Sequence, residues 1–195
     1  LISKKYNLPS TAIIKFLRYQ KDIKLLDSKY IYDDDKSRNR LYNSLQKIFN
    51  VNQTINKFNL DKSLSRVARL SGAPKFEIIS KYCEKELDAK IDDFTITVPK
   101  NKIDKFFYNS RREIFSNIEI AIINCFNDKD KILSYSELTN RLIDRHIPAN
   151  SAAVYVSRNT PIIIKVAPSC YCLVGTFFVP GEIDHYYDLI RKQNK

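Results

Sequence analysis

Hydrophobic and polar positions along this chain follow helical and strand-like spacings in an order that occurs three times. In each pass a helical stretch leads to a short turn containing proline, then to a second helix and a segment of strand-like alternation. Glycine and proline are otherwise scarce, with 3 Gly and 7 Pro in 195 residues, so these turns are the main breaks in the pattern. Elements that recur in one order, at a spacing of roughly 60–70 residues, predict repeated structural units.

The first pass is the shortest. Residues 7–10 predict a turn in which Ser10 is the N-cap of a helix that ends near Gln20. Residues 23–32 then predict two strands joined by a turn, which is a small β-hairpin. We expect the natural N-terminus to lie upstream of Leu1, because the chain contains no Met and the helix that should precede this turn is missing.

The second pass carries the sharpest turn signal, the glycine–alanine–proline run at 71–74. Around it the pattern predicts a basic helix over 37–50 that could extend to 58, a helix over 62–70 capped by Asp61, a helix over 75–87 and a strand over 94–98. Phe76, Ile79 and Cys83 share one face of the third helix and form its candidate core, while Asp92-Asp93 predicts a turn before the strand.

The third pass is the most complete. It predicts a helix over 112–126, a strand at 132–133, a helix from 135 to about 145, a turn over 146–150, a helix over 151–159, strands over 162–166 and 171–174, and a last helix over 182–192. Ser134 and Glu137 have the spacing of a capping box. Val156, with Ala152 or Ala153, is expected to face the core.

The order helix, short strand, helix, turn, helix, hairpin resembles the winged helix, a helix-turn-helix with an appended β-hairpin. The run SYSELTNRLIDRHIPANSAAVYVSRNTPIIIKVAPSCYCLVG is similar to the HARE-HTH-like and sigma-factor-associated winged helices of bacteria, with Ser169-Cys170 where their wing has a glycine. This resemblance implies a mainly α fold with small β-wings (α+β), built from roughly three tandem winged-helix units. The implied boundaries are 1–35 for an incomplete first unit, 36–105, 106–178, and 179–195 for a C-terminal helix.

The charge distribution favours a polyanionic partner. The chain has a net charge of +11, and residues 1–30 and 36–70 carry 15 Lys/Arg against three Asp/Glu, whereas residues 75–195 are nearly balanced. A basic field of this size favours nucleic acid over membrane, because no strongly amphipathic basic helix with a Trp or Phe face accompanies it. The alternative is that lysine is simply abundant in an Asn/Ile/Lys-rich chain. No apolar run is long enough to span a bilayer.

A winged helix can lay one helix in the major groove of DNA and its wing against phosphates. The polar and basic residues expected on such surfaces are Ser10, Thr11, Lys15, Arg18, Lys24 and Lys29 in the first unit, Arg38, Arg40, Lys62, Arg66, Arg69 and Lys75 in the second, and Asn150, Ser151, Tyr155 and Arg158 in the third. The third unit, with little net charge, could equally contact protein.

Catalytic chemistry has little support in the sequence. The two histidines, His146 and His185, have no triad or ligand spacing, and no phosphate-binding loop or nucleophile motif occurs. The Asp33-Asp34-Asp35 run is interpreted as a solvated linker. Four cysteines in apolar patterns predict buried, reduced thiols and a cytoplasmic protein, which would be nucleoid-associated if it is bacterial.

The sequence therefore predicts a non-enzymatic module without cofactor or metal, with double-stranded DNA as its partner. It would be the regulatory or targeting portion of a larger protein. The first alternative is a protein-interaction module that docks a replication, transcription or defence partner, and RNA binding is the third hypothesis, for which no RNP-like aromatic strand is present.

Overall fold

Helices with small antiparallel sheets make up the part of the chain that the computed structural model describes, residues 9–21, 23–26, 30–37, 39–67, 74–108, 110–127 and 130–193. Within these residues there are eight α-helices, one two-stranded hairpin and two three-stranded sheets, which makes the protein α+β as expected. The chain divides into two compact units, Leu1–Asn39 and Arg40–Lys195. The second unit thus holds most of the residues predicted as the second and third repeats, together with the C-terminal helix.

The first unit contains helix α1 (Ser10–Arg18) and an antiparallel hairpin of β1 (Ile23–Leu26) and β2 (Tyr30–Asp33). The predicted helix and hairpin are confirmed, although the 27–29 turn lies outside the described residues. The prediction of Ser10 as N-cap was wrong, because α1 already begins there and Pro9 occupies the N-cap position. The Pro9 carbonyl accepts hydrogen bonds from the Ala12 and Ile13 amides at 3.0 and 3.2 Å, which starts the helix one residue early.

The second unit contains the same topology twice. The first copy, residues 40–97, is called the first motif and comprises α2 (Arg40–Val51), β3 (Thr54–Asn56), α3 (Lys57–Ser65), α4 (Phe76–Leu87), β4 (Lys90–Ile91) and β5 (Thr95–Thr97). The second copy, residues 117–173, is called the second motif and comprises α5 (Asn117–Ile123), β6 (Leu133–Ser134), α6 (Tyr135–Ile143), α7 (Ala149–Arg158), β7 (Ile163–Ala167) and β8 (Cys170–Leu173).

Strand order confirms that the two motifs share one topology. The sheets run β3-β5-β4 and β6-β8-β7, so in both motifs the last strand lies between the first and the second, and all pairings are antiparallel. Helix α8 (Glu182–Gln193), close to the predicted 182–192, follows the second motif.

Each motif has a buried apolar centre that agrees with the predicted faces. In the first motif Phe76, Ile79 and Cys83 are buried. In the second motif Ala152 and Val156 are fully buried and belong to one apolar cluster, completed by Ile122, Cys125, Leu133, Leu138, Leu142, Ile162, Ile163 and Tyr171. The faces inferred from helical spacing are therefore correct in both motifs.

Several element boundaries differ from the prediction. Helix α2 ends at Val51 and a strand follows, so the extension to residue 58 was wrong. The next helix is Lys57–Ser65 and not 62–70, with Asn56 in place of Asp61 as N-cap: its side chain accepts a hydrogen bond from the Asn59 amide at 2.8 Å. Pairing of β3 with β5 extends the backbone up to Asn56, which sets the start of the helix.

Capping also decides the helix starts of the second motif. Helix α5 begins at Asn117 and not at residue 112, because Ser116 and Glu119 form a complete capping box. Ser134 is the N-cap predicted for α6 and accepts a hydrogen bond from the Glu137 amide at 3.1 Å. The Glu137 carboxylate accepts a hydrogen bond from Arg141 at 2.7 Å and not from the Ser134 amide, so only one half of the predicted capping box is formed.

The two motifs pack against each other through a buried ion pair. Lys47 on α2 donates hydrogen bonds to both oxygens of the Glu119 carboxylate at 2.7 and 2.8 Å, and Glu119 is only 1% exposed. The same carboxylate accepts from the Thr160 hydroxyl at 2.8 Å and from the Ser116 amide at 2.9 Å. Because every one of these donors satisfies a buried oxygen, the pair fixes how α2 sits on the second motif.

A glycine just after the second motif makes a further close approach to the first. The Asn52 side-chain amide donates to the Gly175 carbonyl at 2.8 Å, and Gly175 has a positive φ of 78°. A Cβ at this position would lie 2.6 Å from the Asn52 Cβ and 2.8 Å from the Ile55 Cδ1. Both the backbone conformation and the available space therefore require glycine here.

Candidate nucleic-acid interface

Helix α3 of the first motif lies along the β7–β8 hairpin of the second. The Lys62 ammonium, which also sits 4.1 Å from the centre of the Phe58 ring, donates a hydrogen bond to the Lys165 carbonyl at 2.9 Å. The Ser63 hydroxyl donates to the Pro161 carbonyl in the same region. A basic helix of one motif therefore borders a β-hairpin of the other.

Arg66, the residue just after α3, binds the end of helix α7. Its guanidinium donates to the Val156 carbonyl at 2.6 Å and to the carbonyls of Tyr155 and Thr160 at 3.4 Å. It also lies 5.5 Å from the centre of the Tyr171 ring. A cation at a helix C-terminus satisfies carbonyls that have no partner within the helix and interacts favourably with the helix dipole. Burial lowers the pKa of Arg66, and the contact with Tyr171 opposes that shift.

These side chains border a cleft of about 420 Å³ at the β7–β8 hairpin. Lys62, Arg66 and Lys165 contribute three cations, and the rest of the lining is Ser65, Val166, Ala167 and Pro168, with no carboxylate. An oxyanion placed here would meet positive charge from two elements, which is the electrostatic requirement for binding a phosphate.

The turn of the β7–β8 hairpin is tight although it contains no glycine. Ala167 pairs with Cys170, so only Pro168 and Ser169 connect the strands. Ser169 adopts a left-handed conformation with φ of 57°, which serine tolerates at some cost. This short turn places Lys165 and Val166 at the rim of the cleft.

Helix α7 exposes a mostly uncharged face. Asn150 and Val154 are exposed, whereas Ser151 and Tyr155 are half-buried, and Tyr155 packs against the core of its motif. Pro148 occupies the N-cap and supplies no side-chain hydrogen bond to the first turn. Among the described side chains of the third unit that were predicted to face a nucleic acid, Asn150 is thus the most accessible; the Arg158 side chain lies outside the described residues.

The other predicted contact residues that the structure describes do not line this cleft. In the first unit Thr11, Lys15 and Arg18 are exposed on α1, and Lys24 forms an ion pair with Asp34 at 2.8 Å. Arg40 and Lys75 are exposed in the first motif. The side chain of Ser10 and all of Lys29, Arg38 and Arg69 lie outside the described residues.

The structure thus brings Lys62 and Arg66 to the second motif, and it adds Lys165, which the sequence analysis missed. The signal for Lys165 was present as one exposed cation within the otherwise apolar run Ile162–Val166. Its importance comes from its neighbour Lys62, 103 positions away in the sequence, and no local pattern reveals that contact.

The corresponding surface of the first motif is of mixed charge. Lys57 pairs with Glu77 on α4 at 3.4 Å, both side chains being largely exposed. The tip of its β4–β5 hairpin holds Asp92, whose carboxylate accepts bonds from Thr95 and from the Phe94 amide, as predicted for a turn. These hydrogen bonds hold the pKa of Asp92 below its usual value. A negative tip beside the 70% exposed Phe94 suits a phosphate backbone poorly.

Among the described residues, no three His, Cys, Asp or Glu side chains are grouped as a metal site, and no helix is long and apolar enough to cross a membrane. All four cysteines are free and buried, as predicted. Comparison of the chain with models of protein families, with curated proteins and with solved structures found no match.

Proposed function

We propose that the chain is a non-enzymatic module of repeated winged helices that binds double-stranded DNA. In this proposal the two motifs of the second unit are winged helices, and α1 with the β1–β2 hairpin is part of a further, incomplete unit. The shared element order and the shared strand order, with the last strand in the centre of each sheet, support this interpretation.

The cationic cleft at the β7–β8 hairpin is the observation that carries the proposal. In a winged helix this hairpin is the wing, which approaches the phosphate backbone when the helix that precedes it enters the major groove. The second motif by itself has little basic charge there, but the first motif adds Lys62 on α3 and Arg66 just after α3, beside Lys165. The two motifs together thus form a basic wing that neither sequence repeat encodes alone.

The cleft at the β7–β8 hairpin and the first turn of α7 would contact different parts of the DNA. Lys62 and Lys165 would neutralise phosphates, a contact that positions the protein without reading sequence. The first turn of α7, with the exposed Asn150, would face the base edges, where an asparagine can pair with adenine. Because phosphate contacts carry no sequence information, we expect tight but weakly sequence-selective binding.

A titration of fluorescent duplex DNA with the full chain tests this function. We expect binding at about 50 mM salt and an affinity that is at least about tenfold lower at about 200 mM, the loss that corresponds to two or more phosphate contacts. Duplex RNA added as competitor should displace the DNA poorly, because its deep, narrow major groove does not admit a helix. Absence of duplex binding at low salt would contradict the proposal.

A second candidate function, docking of a protein partner, is favoured by one observation on the first motif. Its hairpin tip combines Asp92 and Asp93 with the 70% exposed Phe94, and its helix α4 exposes Glu77. An exposed aromatic ring beside acidic side chains is more typical of a protein interface than of a phosphate contact. A Phe94→Ala substitution that leaves duplex affinity unchanged but removes a co-purifying partner would assign this surface to protein binding.

A further inference from the structure

The segment between the two motifs forms a second basic and aromatic surface that the proposed duplex interface does not use. Residues 105–114 make a hairpin, here called the aromatic hairpin, in which residue 109 lies outside the described residues. The Phe107 amide donates to the Arg112 carbonyl and the Ile114 amide to the Lys105 carbonyl, both at 2.9 Å. Phe106 and Glu113 pair as an antiparallel bridge. These bonds give the hairpin a defined shape without regular strands.

Helix α2 holds the base of the aromatic hairpin in place. The Gln46 side chain accepts from the Asp104 amide at 2.8 Å and donates to the Lys102 carbonyl at 3.1 Å. The Asn50 amide donates to the Asp104 carbonyl at 2.8 Å, and the Tyr42 hydroxyl donates to the Asp104 carboxylate at 2.6 Å. These four hydrogen bonds with one helix fix the position of the base of the aromatic hairpin.

The aromatic rings of this hairpin are partly exposed despite that support. Phe106 is 49% and Tyr108 is 44% exposed, and Phe106 lines two adjacent clefts of about 420 and 280 Å³. The inner ring, Phe107, has the Arg112 guanidinium 5.3 Å and the Lys47 ammonium 5.9 Å from its centre. Large rings held in the solvent beside open clefts, with cations around them, match a surface on which flat π systems stack.

Charge around the rings is positive on balance. The exposed cations of the hairpin are Lys105, Arg111 and Arg112. Two carboxylates lie nearby: Asp104, which accepts the Tyr42 hydrogen bond, and the exposed Glu113. Exposed rings flanked by cations on one short segment suit the binding of single strands, whose bases stack on the rings while the phosphates contact the cations.

We propose that the aromatic hairpin binds the unpaired bases of single-stranded nucleic acid, with Phe106 and Tyr108 as stacking surfaces. The exposed cations beside them contact the phosphates: Lys105, Arg111 and Arg112. Duplex DNA presents no free base faces, so this site is distinct from the duplex interface at the β7–β8 hairpin. A protein could also cover exposed rings, but the three cations and the ring-lined clefts favour a nucleic acid.

The test compares a fluorescent oligothymidine of about 12 nucleotides with a duplex, using the full chain. The variant Phe106→Ala/Tyr108→Ala should lose about tenfold or more in affinity for the single strand and keep its affinity for the duplex. The matched control Phe94→Ala/Phe177→Ala removes two exposed rings elsewhere, 70% and 79% exposed, and should change neither. Lys62→Gln/Lys165→Gln should weaken the duplex complex and spare the single-strand complex, which separates failure of this inference from failure of the proposed function.

Photo-crosslinking of the unaltered chain supplies a readout that does not depend on how the variants fold. An oligothymidine carrying 5-iodouracil should crosslink to the tryptic peptide of residues 106–111, which trypsin releases by cutting after Lys105 and Arg111. Crosslinks confined to other peptides, no single-strand binding at low salt, or equal affinity of the ring variant and its control would each overturn the proposal.

Discussion

The guanidinium of Arg66 donates a hydrogen bond of 2.6 Å to the carbonyl of Val156, 90 positions further along the chain. Through this contact a residue of the first motif satisfies a carbonyl near the C-terminal end of helix α7 in the second motif. Arg66 is among the residues predicted to contact DNA, and in the structure its Nε and Nη2 atoms donate to three backbone carbonyls while its guanidinium lies 5.5 Å from the centre of the Tyr171 ring. Its role is therefore to position α7, and its charge reaches the neighbouring cleft from a fixed place.

Replacement of Arg66 should destabilise the second unit. We expect Arg66→Ala to lower the free energy of unfolding by about 2–3 kcal/mol, because buried carbonyls lose a charged donor. Arg66→Lys should recover little of this, since an ammonium cannot reach several carbonyls and stack on Tyr171 at once. Chemical denaturation monitors the change. Lys75→Ala, at an exposed lysine of the first motif, is the control and should stay within about 0.5 kcal/mol of the wild type.

Removal of Glu119 should be the most damaging single change to the contact between the motifs. The Glu119→Ala variant leaves the Lys47 ammonium partly buried and the Thr160 hydroxyl without its acceptor, so we expect a loss of about 3–5 kcal/mol in unfolding free energy. Glu113→Ala removes an exposed carboxylate nearby and should cost little. Equal stability of the two variants in urea denaturation would show that the buried pair does not hold the motifs together.

The turn of the β7–β8 hairpin predicts a stabilising substitution. Ser169 has a φ of 57°, a conformation that glycine adopts without strain, so Ser169→Gly should raise the unfolding free energy by up to about 1 kcal/mol. Ser157→Gly is the matched control, because residue 157 is an exposed position within α7, where the same change should lower stability by roughly 0.5–1 kcal/mol. Thermal and urea unfolding of both variants measure whether each change in unfolding free energy is positive or negative.

Burial of the four thiols predicts that they react slowly with thiol reagents and that the folded protein loses stability at high pH. Burial raises the pKa of Cys172 to about 12 and raises the pKa of Cys83, Cys125 and Cys170. The native chain should therefore react with a thiol reagent at pH 8 far more slowly than the denatured chain, in which all four thiols react. Because unfolding lowers these pKa values, the stability they contribute is complete below about pH 8.5 and is lost as pH rises from there toward 12.

A fast-reacting thiol in the native chain at pH 8 would contradict that burial. For the pH dependence, Cys172→Ala should flatten the alkaline fall in stability relative to the wild type, although it also lowers stability at neutral pH by leaving a small cavity. An unchanged slope would place the alkaline titration on other groups, among them Tyr42, whose pKa burial and the hydrogen bond to Asp104 also raise.

Local patterns in the sequence were enough for the order of the helices, but they missed two short strands and several element limits. Helical stripes such as Phe76, Ile79 and Cys83 identified the buried faces because burial is a property of one helix. The strand Lys90–Ile91 was missed because it is two residues long and exposed, so it has no alternation to detect. The start of α5 was missed because apolar residues precede Ser116, although the Ser116–Glu119 spacing is itself a capping signal.

The candidate site could be predicted only in part for a different reason. Basic residues were counted correctly in the first seventy positions, and a wing was expected near residues 162–174, yet nothing local connects the two. Hydrogen bonds from side chains to backbone carbonyls connect them: Lys62 donates to the carbonyl of Lys165 and Arg66 to that of Thr160, across 103 and 94 positions of sequence. Such contacts depend on tertiary packing, and a single sequence carries no periodic trace of them.

The salt dependence of duplex DNA affinity tests the central claim most directly. It is measured for the wild type, for the cleft variant Lys62→Gln/Lys165→Gln and for the control Lys100→Gln/Lys192→Gln. The control removes the same charge at two exposed lysines outside the cleft. If the cleft holds phosphates, the cleft variant should bind more weakly at low salt, and the slope of log affinity against log salt should fall by about 2, or 0.9 for each lost contact. The control should keep the wild-type slope. Equal slopes for the two variants, with both unfolding like the wild type, would contradict a duplex interface at this hairpin.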